Sequence, residues 1–310
     1  MSTTPQKDPL RRIGAGCCGS VWAPSSTDIS GNAVKRADGG PGRDLYNDFV
    51  MHQKVFAALS GLDPKSTAEV PRCHEYIAAD DQFGTGLLER FPEPFQVPCN
   101  VLVTDRIPAF SAPVREKIID KYCPERLRSA TKTSDPDRDC IIRLYMGRRR
   151  RPARNSRFHG FNLRNYPLHA DQVEELQLDQ PLYARILAET LASLYWKANV
   201  DANDVEFVLA PPREESDQSR RIKSDFLGDH VVWLLDFDCC RDMPLDESGV
   251  EQAVAAFYRN DPYYPRPGQE DWTHFRGRFL EVSEAILSDG PTAHLPSLWV
   301  DLVERRAGGQ

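Results

Sequence analysis

Residues 234–241, LLDFDCCR, are an apolar run that ends in two aspartates with a phenylalanine between them. Such a run predicts a buried strand that delivers Asp236 at its end, with Asp238 two residues later. Working back, HVVWLL (230–235) extends that strand, and VEFVLA (205–210) is a second β-rich run. The two are separated by the polar stretch 211–228, which reads as a surface loop. VDAND (200–204) places Asp201 just ahead of the second run, with Glu206 five residues on. Asp201, Glu206, Asp236 and Asp238 are thereby expected in one cleft, whereas Asp204 is expected to face solvent. Carboxylates that close repel, so a cation is predicted among them, either magnesium or a guanidinium.

A second constellation lies near the N-terminus. GAGCCGSV (14–21) fits G-x-G-x-x-G-x-V in full, with Gly14, Gly16, Gly19 and Val21, and Ser20 lies inside it. Glycines there let backbone amides approach a phosphate that a Cβ would hold off, although a tight hairpin without a ligand would use them too. AVK ends at Lys35, fourteen residues beyond Val21, the spacing at which a third strand returns a lysine beneath the loop. VDANDVEFVL resembles the catalytic loop of kinases and aminoglycoside phosphotransferases. Glycine loop, lysine, aspartate, metal ligand and Asp-Phe are collinear as in that group, which implies an α+β, two-lobed protein-kinase-like fold. The departures are specific: Asn199 for a histidine, Glu206 for an asparagine, and Asp238 for a glycine. The helix after Lys35 offers His52 or Asp48 where a kinase has a glutamate.

The remaining chain suits that organisation. Residues 1–110 read as a β-rich N-lobe carrying the glycine loop, and 111–310 as a mainly helical C-lobe with a basic segment at 143–164. APVREKIIDKYC, QPLYARILAETLASLYWKAN, GVEQAVAAFYRN and WTHFRGRFLEVSEAIL carry helical signals. With 310 residues, 40% hydrophobic and 27% charged, the composition is that of a globular enzyme. A net charge of −7 gives no global attraction to nucleic acid or anionic membrane. No membrane span or signal peptide is expected, so a cytoplasmic location is. The eight cysteines lack the paired spacing of a zinc site, and no structural zinc is expected.

Against the acidic whole, residues 143–164 hold eight arginines and no acid. Arg148, Arg149, Arg150, Arg151, Arg154 and Arg157, with Tyr145, Phe158 and Phe161 nearby, are candidates for phosphate and base contacts. A solvated loop or an import signal explains the run equally well. RRIGAGCCGSVW, RDLYNDFVMHQKVF, DKYCPE, LRNYPLHADQVEEL, VDANDVEFVLA, WLLDFDCCR and NDPYYPRP resemble a fungal family usually labelled hypothetical or zinc-finger-like, over about residues 10–285. They are similar, further, to the fungal arginine-containing cyclodipeptide synthases. That resemblance implies an aminoacyl-tRNA-dependent synthase making an arginine-containing diketopiperazine, with arginyl-tRNA and a second charged tRNA as partners and no required cofactor. Asp201 or Glu206 would be its base, the glycine-loop amides its oxyanion donors, and Ser20, Cys17 or Cys18 its nucleophile if an aminoacyl-enzyme forms. The kinase-like alternative is an ATP-dependent phosphotransferase with Lys35 on the phosphates, Asp201 as base, and Glu206 and Asp236 on the magnesium of Mg-ATP. A pseudokinase binding module is a third reading.

Overall fold

A computed structural model of the chain describes residues 8–26, 31–40, 43–60, 68–82, 86–150, 160–288 and 290–309. The N-terminal part runs β1 (Leu10–Gly16), β2 (Gly19–Pro24), β3 (Asn32–Arg36), α1 (Leu45–Ser60), β4 (Ala68–Glu69), β5 (Cys73–Ile77) and β6 (Val101–Asp105). β1 and β2 pair antiparallel around a turn of only Cys17 and Cys18. That turn requires a glycine at position 19: φ is 143°, and a Cβ would lie 1.8 Å from the Arg36 carbonyl oxygen. The five-stranded sheet has the order β1-β2-β3-β6-β5. Leu10, Trp22, Val34, Phe91 and Val101 form its small core, with Trp22 edge-on to Phe91 at 5.3 Å. α1 turns Leu45, Met51, Val55 and Leu59 inward along one face, and Asp48 and His52 share that buried face. Two polar side chains on an apolar face must find partners, and both do so in the cleft.

The C-terminal part contains α2 (Ala112–Tyr122), α3 (Glu125–Lys132), β7 (Ile142–Tyr145), β8 (Tyr166–His169), α4 (Ala170–Glu175) and α5 (Gln180–Trp196). β9 (Glu206–Ala210), β10 (Val231–Leu235), α6 (Glu247–Arg259), α7 (Glu270–Leu287) and α8 (Leu295–Gly308) complete it. α5 starts at Asp179, whose side chain accepts from the Leu182 amide, and it is buried on nearly every side. A helix apolar all round belongs at the centre of a lobe, and α7 lies along it. Trp299 of α8 closes this core against Phe279, 4.3 Å between ring centroids.

The fold is thus mixed α+β, sheet-rich at the N-terminus and helical at the C-terminus. A second sheet, of order β4-β10-β9-β7-β8, runs through the helical part. Its β4 comes from the first hundred residues and pairs parallel with β10. The β9–β10 register sets Glu206 opposite Leu235, and so beside the residue that precedes Asp236. No helix among the described residues is long and apolar enough to cross a membrane.

Candidate functional site

β3 sends Lys35 into the cleft beneath the β1–β2 hairpin. Its Nζ lies 2.5 Å from Asp48 Oδ2 and 2.7 Å from Asp236 Oδ1. Asp48 therefore partners the lysine, and its Oδ1 also accepts from the Phe237 amide at 3.2 Å. His52 is turned elsewhere, to the Pro71 carbonyl oxygen at 2.6 Å and the ring of Phe237. Burial opposes the charge on Lys35, but Asp48 and Asp236 outweigh it and hold the amine protonated, well above the usual lysine range. Burial also works against the charge on Asp236, and Lys35 overrides it, holding that carboxyl below its ordinary value. Asp236 has φ of 69°, a left-handed backbone that a non-glycine residue adopts at a cost of about 1–3 kcal/mol. β10 and the contacts from α1 impose it.

The other expected acids carry partners of their own. Glu206 is paired with Arg143 of β7 at 2.5 Å. Its carboxyl is pushed up to about 7, by burial first and then by Asp236 and Asp204, with Arg143 opposing. Asp238 is paired with Arg43, whose Nη1 also lies 3.0 Å from Asp204 and 2.6 Å from Cys239 Sγ. Asp204 is half exposed but tied to that guanidinium. The cationic group predicted among the acids is thus supplied by the chain itself, through Lys35, Arg43 and Arg143.

Asp201 differs from its expected role. It is 2% exposed, and its Oδ1 accepts from the Asn203 and Arg241 amides while Oδ2 accepts from Gln252. It braces the loop that carries Asn199, Ala202 and Asp204 at positive φ, and it is absent from the cleft wall. Sequence spacing located the loop correctly, but the spacing carries no information on where the hydrogen bonds go.

The cleft wall is apolar around the entrance to Lys35, with Val21, Ala33 and Leu102 from the N-terminal sheet and Leu235 from β10. Gly14, Gly16 and Gly19 line the roof. Ser20 does not face it: its amide and hydroxyl both donate to Asp38, at 2.7–2.8 Å. Cys18 points in, with Sγ 3.5 Å from Asp236, and burial and Asp236 push its thiol up, which disfavours the thiolate. At the far end Arg11 of β1 and Arg106 both bind Asp139. Arg143, Arg43 and Asp139 are the site residues that motif reading missed. The apolar Ile142 and Leu144 on either side of Arg143 were the available signal.

Three arginines of the expected tRNA surface carry acid partners. Arg148 is paired with Asp261, Arg149 with Glu174, and Arg150 with Asp171 and Glu175. These acids come from α4 and the Asp261 turn, outside the arginine run, so a count within the run did not reveal them. Arg151, Arg154 and Arg157 lie outside the described residues.

Comparisons with known proteins add little detail. A family described as "Zinc finger protein" (DUF3669) matches residues 232–291, from β10 past the end of α7. No curated protein matches the chain. A solved structure of a microcompartment-associated aminopropanol kinase is similar at a TM-score of 0.31 and 12% identity, covering 96% of this chain and 82% of that one. The family description overturns the expectation of no structural zinc, together with the partner set of which it was part. The donors gathered among the described residues are two triads, Cys18/Asp236/Asp238 and Asp204/Asp238/Cys239. Each is carboxylate-rich and has Lys35 or Arg43 bonded into it, which does not match the four sulfur or nitrogen ligands of a zinc finger.

Proposed function

We propose that the chain is an ATP-dependent phosphotransferase of kinase-like fold, with the nucleotide in the cleft between the sheet and the helical part. One observation carries this reading: the Lys35 ammonium held between Asp48 and Asp236 beneath a glycine hairpin. In phosphoryl transfer such a lysine must be fixed and charged to meet the phosphates, and a helix carboxylate does the fixing. The slot formed by Val21, Ala33, Leu102 and Leu235 is apolar and suits a flat heteroaromatic base. Magnesium would be held by Asp236 together with phosphate oxygens, since Mg²⁺ commonly takes one or two protein carboxylates and the rest from substrate and water. It would supply charge neutralisation of the transferring group. Glu206, paired with Arg143, is less suited to that duty than the sequence implied.

The test is a thermal shift with Mg-ATP, Mg-GTP and magnesium alone. Mg-ATP is expected to raise the Tm of the wild type and not of Lys35→Ala. An equal shift in both proteins, or none in the wild type, would remove the nucleotide from the cleft.

A second reading, aminoacyl transfer to build a diketopiperazine, is favoured by the withdrawal of Asp201 from the cleft. A phosphotransferase of this type loses its usual base there, whereas an activated ester needs no metal and only a base for an amine. Metabolite mass spectrometry of a heterologous host expressing the chain separates the two. An arginine diketopiperazine absent from the empty host would favour this reading over the first.

A further inference from the structure

We infer that the cavity between α1, β4 and the 211–228 loop is a second binding site, one that takes a small free α-amino acid with an apolar side chain. The site goes beyond the phosphotransferase reading and does not depend on it. The cavity measures about 480 Å³, within the roughly 300–1,000 Å³ of small-molecule sites. Among the described residues it shares only Asp105 with the wall of the Lys35 cleft.

Its polar lining carries both signs of charge, and each sign has buried atoms without a hydrogen-bond partner. Glu69 of β4 is 7% exposed, and its Oε2 accepts from Ser216 Oγ at 2.8 Å. Its Oε1 is equally buried and accepts from nothing among the described residues. Burial raises that carboxyl above its ordinary range, as expected of an acid short of donors. Of the cations, Arg213 Nη1 stands 3.3 Å from Asp105 Oδ1 without making a hydrogen bond. Arg220 is tied to β4 through Nη1, 3.4 Å from the Ala68 carbonyl oxygen, while its Nε is buried and donates to nothing among the described residues. Buried polar atoms are paired as a rule, so an unpaired acceptor and unpaired donors around one cavity mark a place for an outside partner.

An α-amino acid meets both needs at once. Its ammonium donates to Glu69 Oε1 and its carboxylate accepts from Arg213 and Arg220, each bond being charge-assisted. A simple anion would bring like charge to Glu69, and a simple cation would leave the arginine donors unmet. Phe56 and Leu59 of α1, with Val70 and Trp233, give the cavity an apolar wall. That wall favours an apolar side chain, since a charged one would lose its water there without gaining a partner.

The experiment is calorimetric titration of the full-length wild type, Glu69→Gln and Arg220→Gln with leucine, phenylalanine, leucinamide and N-acetyl-leucine. Leucine or phenylalanine is expected to bind the wild type one to one. Leucinamide lacks the carboxylate and N-acetyl-leucine the ammonium, so each is expected to bind at least about tenfold more weakly, the worth of a charge-assisted hydrogen bond. Each variant is expected to lose at least about tenfold in affinity for the amino acid. Should neither variant fold, the two blocked ligands decide the point on the wild type alone. Binding of neither amino acid, equal binding of the blocked forms, or unchanged affinity in a folded variant overturns the inference. Mg-ATP binding is read in a separate titration, so failure of the nucleotide reading and failure of this one are told apart.

Discussion

Lys35 binds the buried Asp48 and the part-buried Asp236, and removing it would strand both. Lys35→Met is expected to destabilise the fold by about 3–5 kcal/mol, because a buried ion left unpaired costs more than the pair contributes; urea unfolding measures it. Glu206 and Asp236 link stability to pH with opposite signs. The native state holds the Glu206 proton more tightly than the unfolded chain, which releases it near 4.5. Its contribution is therefore full below about 4.5 and is lost as pH rises through about 7. The stability of the wild type relative to Glu206→Gln should accordingly fall between about pH 5 and pH 8. Asp236 is lowered, so its contribution is present above about 3.8 and lost as pH falls further. Chemical denaturation at several pH values checks both. Lys35, Glu206 and Asp236 were legible in the sequence because spacing alone brings them to one cleft. Asp201 was legible as a loop residue, whereas its burial and its hydrogen bonds were not, since neither leaves a mark in a spacing pattern. Arg143 was hidden by the arginines that follow it.

Among the elements, those with a strong period were legible, including α2, α5, α6 and α7. β7 and β8 were not, because two short strands flank a basic stretch that composition marks as solvated. α8 was missed as well, although its Trp299 closes the aromatic core with Phe279 and Tyr195. Trp299→Ala is expected to cost about 3–5 kcal/mol, as large buried aromatics do, and to lower Tm by several degrees. A loss below about 1 kcal/mol would mean that α8 is peripheral to the fold. Gly19→Ala should be worse tolerated than Gly16→Ala, because a Cβ meets the Arg36 backbone at position 19 and open space at position 16. Paired thermal melts decide it.

At the scale of the molecule, a net charge of −7 coexists with a cleft in which Asp48, Asp105, Asp139, Glu206 and Asp236 each have a cationic partner. Asp139 extends this to the hairpin, joining Arg11 of β1 to Arg106 after β6. Asp139→Asn should loosen the hairpin from the rest of the cleft, seen as faster amide hydrogen exchange in β1 and β2 with little change in α5. The central claim is that the cleft around Lys35 is a nucleotide site. Calorimetric titration of Mg-ATP into the wild type and Lys35→Ala tests it most directly. Saturable one-to-one binding, weakened at least about tenfold in the variant and so worth about 1.4 kcal/mol or more, is the result predicted. Absence of binding to the wild type, or equal binding to both proteins, would contradict it.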